Sequence, residues 1–347
     1  MQVIANMAGV SRTTVSRVLH APQTVHPHTR ERILSMMRQA GYVYHAAAAD
    51  LPRGKSSTIG LIIPTVRTTV FAETILAVQD AAAEMGMTIM LGNSQYDSVL
   101  EEGILFQFQR RRPAGLILVG FTPGRERQIL ELQRTGIPCV TIWTTPSDSR
   151  LHQVGFDNRK AALEMTEYLI GLGHRRIGII TGPQSGCWRI QDRQAGYREA
   201  LEKHAIPFDP ALMRSIEPTI ANGEAEAMHM LAELSARPSA IFAASDVLAI
   251  GVLSAARKLK LCVPDELSVA GFDNMDFSAH TSPPLTTMAV PAREMAWIAT
   301  RLLRELILRG KQEEMHSSCL ATHLVVRESC APPQAGSSAT PTPSHSL

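Results

Sequence analysis

The sequence predicts a small, N-terminal all-α helix-turn-helix head joined to a much larger α/β body of doubly wound parallel sheet. Three observations carry that prediction. The stretch Ala8-Gly9-Val10-Ser11-Arg12-Thr13-Thr14-Val15-Ser16-Arg17-Val18-Leu19 reads as the turn and second helix of a helix-turn-helix. From residue 58 onward, short apolar runs alternate with amphipathic helical patterns, which is how buried parallel strands and their crossover helices read. Charge divides at the same place. Residues 1–55 hold seven basic and two acidic side chains, a net +5, so the rest carries −3 against an overall +2. A basic head on a mildly acidic body suits a polyanion-binding module attached to something else.

Within the head, Gly9 can take the positive φ of a tight interhelical turn, and apolar Val10 fills the angle between the helices. Ser11 is a good N-cap, its hydroxyl accepting from an orphan N–H at the new helix start. Val15, Val18 and Leu19 recur on one side at helical spacing. Arg12, Thr13, Ser16 and Arg17 are left on the other side near the helix start. Together with Ser11 and Thr14 they are the candidate DNA-reading set, since the N-terminal half of such a helix enters the major groove. An amphipathic helix with a solvated basic face is the plainer alternative. The glycine turn, the cap and the N-terminal position together favour DNA. Residues 22–27 read as a loop, and Pro27 opens a third helix that runs to about residue 40. Its Ile33, Leu34 and Met37 face the head core, and Gly41 stops it.

At 347 residues the chain is long enough for two or three domains, and 45% hydrophobic with 19% charged residues is ordinary for a globular protein. No apolar run approaches the roughly 20 residues needed to span a bilayer, and no membrane partner is expected. The N-terminus lacks a signal-peptide pattern. Cys139, Cys187, Cys262, Cys319 and Cys330 are scattered without CxxC or metal spacing. They read as free thiols, and the expected location is the cytoplasm, associated with the nucleoid.

Enzyme signals are weak. The glycine-rich run at 171–178 precedes a strand, whereas a dinucleotide fingerprint follows one. No phosphate loop, no G-x-S-x-G elbow and no HExxH pattern occurs. Neither a catalytic set nor a cofactor or metal is expected.

The segment from Ala8 to Leu19 resembles the headpiece of the lactose/purine/gluconate repressor family, and the likeness runs through about residue 330. Family members carry several more residues, with an Asp capping helix 1, before the segment matching Val3 to Ala8. The comparison therefore implies either a start assigned too late or a frayed first helix. The resemblance makes residues 45–57 a hinge helix and linker, with Leu51 levered into the minor groove at the operator centre. A flexible linker is the alternative there, because the expected basic residues of that helix are absent. Where the family places a capping Ser before Pro27 this chain has His26, which implies a weaker cap.

In the body, strands are expected at 58–63, 87–91, 115–119, 139–143, 176–181, 240–244 and 267–270, with helices at 71–85, 125–135, 159–172, 191–204, 223–236 and 247–259. These are too many strands for one comfortable sheet. The resemblance implies a periplasmic-binding-protein-like body of two doubly wound parallel-sheet subdomains. The expected division is a headpiece at 1–44, the hinge at 45–57 and an effector-binding and dimerisation body at 58–330. Within the body, 58–156 and 291–318 form one subdomain, and 159–288 and 321–330 the other. The Pro/Ser/Thr-rich tail at 331–347 is expected to be disordered and lacks a Leu heptad.

Ligands of open α/β sheets bind beyond the carboxyl ends of the strands. The residues there include Val70, Phe71, Asn93, Phe121, Trp143, the loop 182–193, Asp246, Asp273 and Asn274. Carboxylates, arginines and aromatic rings suit a polyhydroxylated ligand. Capping is the alternative for Asp246 and Asp273. The resemblance implies that Arg193, Asp246 and Asp273 are the main effector contacts, with Arg189 and Cys187 in the same variable loop. The stretches 71–79 and 154–162 are similar to the gluconate and idonate repressors, which implies a sugar acid. The stretch 271–274 follows the wider family, so a neutral sugar stays open. Asp273 beside a bound carboxylate would be repulsive unless Arg193 or Arg189 offsets it. The resulting expectation is a homodimeric repressor of carbohydrate or sugar-acid genes. It binds near-palindromic operator DNA and answers to a small sugar-type effector such as gluconate. A sugar-binding carrier or sensor without DNA regulation is the rival reading.

Overall fold

The computed structural model describes residues 1–42, 56–120, 125–145, 151–183, 187–234, 236–309 and 315–334. It divides into two compact units, residues 1–56 and residues 57–347. In the first, three helices, α1 (Gln2–Met7), α2 (Arg12–His20) and α3 (Pro27–Gln39), surround a small core. Ile4, Ala5, Val15 and Ile33 are fully buried there, with Ala8, Val18 and Met37 nearly so. Gly9 takes φ +60°, a value that costs a residue with a Cβ, and so lets the chain turn sharply between α1 and α2. Residues 22–24, expected as plain loop, form a 3₁₀ turn. His26 stands at the N-cap of α3 with no side-chain cap bond, and Gly41 ends that helix at φ +58°. The hinge expected over 45–57 falls almost wholly in 43–55, outside the described residues, and Leu51 with it; Phe121 and the tail beyond 334 also lie outside them.

The second unit holds two six-stranded sheets. The N-terminal half alternates β1 (Thr58–Ile63), α4 (Thr69–Glu84), β2 (Thr88–Asn93), α5 (Ser98–Arg111), β3 (Gly115–Val119), α6 (Arg125–Arg134), β4 (Cys139–Ile142) and β5 (His152–Phe156). The chain then passes to the C-terminal half at Asp157, which caps the next helix by accepting from Lys160 N at 2.9 Å. There follow α7 (Asn158–Gly171), β6 (Ile177–Thr181), α8 (Trp188–Lys203), β7 (Met213–Ser215), α9 (Ile220–Met228), β8 (Ala240–Ala243), α10 (Asp246–Lys258), β9 (Ser268–Asp273) and β10 (Thr286–Ala289). The chain returns for α11 (Ala292–Arg309) and β11 (Ser317–Leu320), and crosses once more to β12 (His323–Val325).

Strand orders are β11-β5-β4-β3-β1-β2 and β12-β10-β9-β8-β6-β7. All pairings are parallel except β12 against β10, so most strands are buried on both faces and read as continuous apolar runs. The body thus has the two-sheet architecture that the sequence implies. Strands β5, β7, β10, β11 and β12 were not among those expected. They are three to five residues long, and β11 pairs with β5 across more than 150 residues of chain, a partnership that local pattern does not encode.

One apolar core runs through both halves. Its centre is a chain of rings: Phe71 to Trp143 (5.0 Å between centroids), Trp143 to Phe156 (5.8 Å), Phe156 to Phe272 (6.3 Å) and Phe272 to Phe242 (6.3 Å). The tilted and edge-on contacts suit the ring quadrupoles. These rings form the base on which the ligand-facing groups are mounted.

Candidate functional site

On α2, Arg12, Thr13 and Arg17 are exposed, while Thr14 and Ser16 are half-buried. Ser11 accepts from Thr14 N at 3.1 Å, and the two hydroxyls lie 2.8 Å apart. The Ser11 and Thr14 side chains are therefore occupied in starting the helix. Two guanidinium groups and the Thr13 hydroxyl remain on the open face, the arrangement needed to meet base edges and phosphates together.

In the body, the carboxyl ends of the two sheets bring Phe71, Trp143, Arg189, Arg193 and Asp273 together. Arg193, on the second turn of α8, is 4% exposed. Its Nε donates to Asn158 Oδ1 at 3.0 Å and its Nη1 to the Ala244 carbonyl at 2.7 Å. Its planar head lies 3.7 Å from the centroid of the Phe272 ring. Burial lowers its pKa to about 10, so it stays charged at neutral pH. Asn158 is itself fixed, since its amide nitrogen donates to the Trp143 carbonyl at 2.9 Å.

Asp273 closes β9 at φ +107°, a left-handed value uncommon for a residue with a side chain. Burial pushes its carboxyl up to about 7; Arg193 and Arg189 pull it down, Asp246 pushes it further up, and the Ser245 hydroxyl bonds to it and lowers it. Arg189 is 5% exposed. Its guanidinium lies over Phe71 (5.4 Å) and Tyr96 (6.0 Å), so a side chain from the C-terminal half reaches rings of the N-terminal half. Burial works to lower its pKa, but Cys187, Tyr96 and Asp273 outweigh it and hold the guanidinium above its ordinary range.

Two cavities flank this cluster. One, of about 270 Å³, is lined by residues that include Ser94, Tyr96, Ser98, Glu101, Thr144 and Arg189. The other, of about 280 Å³, is lined by Val70, Glu73, Asp273, Asn274, Asp276, Arg293 and neighbours. Arg193, Phe71, Trp143 and Asp246 line neither. Near the strand ends, the buried Thr68 Oγ1 and Trp143 Nε1 have no hydrogen-bond partner.

Two expectations need correcting. Asp246 is fully buried and committed to the protein: Oδ2 accepts from Met275 N (2.8 Å) and Ser278 Oγ (2.5 Å), Oδ1 from Thr287 Oγ1 (2.6 Å). It clasps the segment after β9 rather than facing a ligand, and the residue before it, Ser245, is the one that bonds Asp273. Trp143 is 1% exposed, with its ring between Phe71 and Phe156, so it supports Phe71 instead of covering a sugar face. Tyr96, Asn158, Ser245 and Phe272 were missed as members of the cluster. Tyr96 carried a readable signal, lying just beyond the end of an apolar strand; Asn158 did not, because its role depends on Arg193 from another helix.

This combination of a helix-turn-helix head and a two-lobed ligand-binding body defines a ligand-responsive transcriptional regulator. The profile described as bacterial regulatory proteins, lacI family, matches residues 1–44, and that of a periplasmic binding protein-like domain matches residues 166–330. The chain is 33% identical over 332 residues to the HTH-type transcriptional repressor CytR of Escherichia coli K12, covering 95% of each. The crystal structure of the transcription regulator GntR from Chromobacterium violaceum superposes with a TM-score of 0.72 at 30% identity, covering 78% of this chain and 98% of that one. A CelR–cellobiose complex gives 0.70 at 29% identity, over 94% and 98%. The chain belongs to the lacI family, and it is a DNA-binding transcriptional repressor rather than an enzyme. Among the described residues, no helix is long and apolar enough to cross a membrane.

Proposed function

We propose that this repressor controls carbohydrate or sugar-acid utilisation genes. It binds near-palindromic operator DNA as a homodimer and is set by a small effector held between the two halves of the body, a sugar acid such as gluconate. One observation carries the effector class. Arg189 and Arg193 share a buried cluster with Asp273 and Asp246, and burial raises the pKa of both acids, which tips the balance there towards positive charge. Such a field favours an anion, and the unpartnered Thr68 hydroxyl suits a polyhydroxylated one. On the head, Ser11, Arg12, Thr13, Thr14, Ser16 and Arg17 form the operator-reading helix. Arg12, Thr13 and Arg17 make the base contacts.

A neutral sugar is the second reading. The cavity holding Asp273 is also lined by Glu73, Asp276 and Glu294, a set of acceptors for hydroxyl donors, and a relative is solved with cellobiose. Calorimetry with aldonic acids and neutral sugars, paired with gel shifts on operator DNA, separates the two. The expected result is that Arg193→Ala loses effector binding by about 2–5 kcal/mol, because it removes the buried charge and the bonds that hold the ligand-facing cluster in place. Operator affinity without effector should barely change. A body that prefers neutral sugars would defeat the sugar-acid assignment and leave the repressor reading standing.

A further inference from the structure

We propose that the cavity of about 270 Å³ receives the effector's anionic group, and that Arg189, not Arg193, is the residue that reads it. The inference rests on the effector-controlled reading above and specifies which side chain decides acid against neutral ligand.

The hydrogen-bonding inventory separates the two arginines. A guanidinium has five N–H donors in a fixed fork. Arg193 gives Nε–H to Asn158 and one Nη1–H to the Ala244 carbonyl, lays its face on Phe272, and lines neither cavity, so whatever donors it keeps do not face one. It holds the cluster together. Arg189 is held by its faces, against Phe71 and Tyr96, and its one hydrogen-bond partner among the described residues is Tyr96. Most of its donors therefore stay available while the group is kept from water and lines the cavity.

The cavity is built to match. Gln95 and Tyr96 both take left-handed φ values, 53° and 60°, in the tight turn after β2. That turn sets the Tyr96 ring against Arg189. Ile62, Ile63 and Leu118 supply an apolar floor, with hydroxyls at Ser94, Ser98 and Thr144. The floor belongs to the N-terminal half and Arg189 to the C-terminal half. An anion bound here bridges both, so its binding energy favours the closed arrangement.

Carboxylate and phosphate share this chemistry, and the test distinguishes them. Full-length protein is titrated calorimetrically with D-gluconate, D-glucose 6-phosphate and neutral D-sorbitol, for the wild type, Arg189→Gln, Arg189→Lys and Arg193→Gln. The wild type should prefer one of the two acids over sorbitol. Arg189→Gln should lose about thirtyfold or more in that acid's affinity and change sorbitol affinity by less than about threefold. Arg189→Lys should keep part of the preference, and Arg193→Gln should weaken acid and polyol alike. Operator affinity and the melting temperature report that each variant is folded. An Arg189→Gln protein that still prefers the acid overturns this assignment alone. A wild type that prefers sorbitol overturns both this assignment and the sugar-acid reading.

Discussion

Arg189 and Arg193 lie one helical turn apart on α8, yet their surroundings give them different work. Both act on Asp273, whose ionisation bears on stability and on ligand charge alike. Its folded-state pKa of about 7 lies above the ordinary carboxylate value of 3.8, so the folded state binds the proton more tightly. Its contribution to stability is therefore greatest below about pH 4 and is lost as pH rises through 7. The groups that act on it are Arg193 and Arg189 from α8, Asp246 from α10 and the Tyr96 hydroxyl. Protonated, Asp273 no longer repels a bound anion; ionised, it does. Acid effectors should accordingly bind more weakly at pH 8 than at pH 6. Asp273→Asn should flatten that dependence and raise thermal stability relative to wild type at pH 8 but not at pH 4. Calorimetry and melting curves across pH 4–8 check both signs, and a wild-type affinity independent of pH would contradict the assignment.

At the scale of the element, α2 and the segment after β9 are each set by one side chain. Ser11→Ala removes the cap of α2, at about 1 kcal/mol, and should lower the head's melting temperature without altering sequence preference. Arg12→Ala or Arg17→Ala should do the reverse, relaxing sequence preference by about 1–3 kcal/mol per lost base contact while the head stays folded. Gel shifts on matched and altered operators distinguish loss of preference from uniform weakening, which would mean phosphate contact only. Behind β9, Asp246 gathers Met275, Ser278 and Thr287, and no Cβ fits at Gly271, where it would meet Asp246 Oδ1 at 2.1 Å. Asp246→Ala leaves three buried donors unpaired and should cost about 3 kcal/mol or more of body stability, read by denaturant titration. Any loss of effector binding should follow from that unfolding.

Across the whole body, the two halves share the ring chain below and an exposed ion pair, Arg67 to Glu217 at 3.2 Å, that joins the loop after β1 to the loop after β7. Side chains 74% and 59% exposed make a weak pair, worth less than about 1 kcal/mol and screened by salt. Its place between the halves matters more than its strength. Arg67→Glu should leave the melting temperature nearly unchanged but speed effector dissociation, and the double reversal Arg67→Glu with Glu217→Arg should restore the wild-type rate at low salt. Stopped-flow fluorescence measures this; identical rates in all three proteins would remove the pair from closure. The ligand's leverage on the operator is bounded in the same way, by its differential affinity for the open and closed bodies.

The sequence by itself determined the head, because a helix-turn-helix is local: Gly9, the Ser11 cap and the spacing of Val15, Val18 and Leu19 lie within a dozen residues. It also determined the α/β character of the body, since buried parallel strands announce themselves as apolar runs. Arg193 and Asp273 were legible as cluster members because they follow strand ends. Tertiary structure decided what each residue does there. Asp246 and Asp273 look alike in sequence, both just past an apolar strand, yet three donors from distant segments claim the first and leave the second facing a cavity. Trp143 became a support because Phe71 and Phe156 enclose it from two other elements. Arg189 gained its role from a tyrosine more than 90 residues away. Hydrogen-bond satisfaction and burial are sums over neighbours that only the folded chain brings together, and so the chemistry of this site could be listed from the sequence but assigned only from the fold.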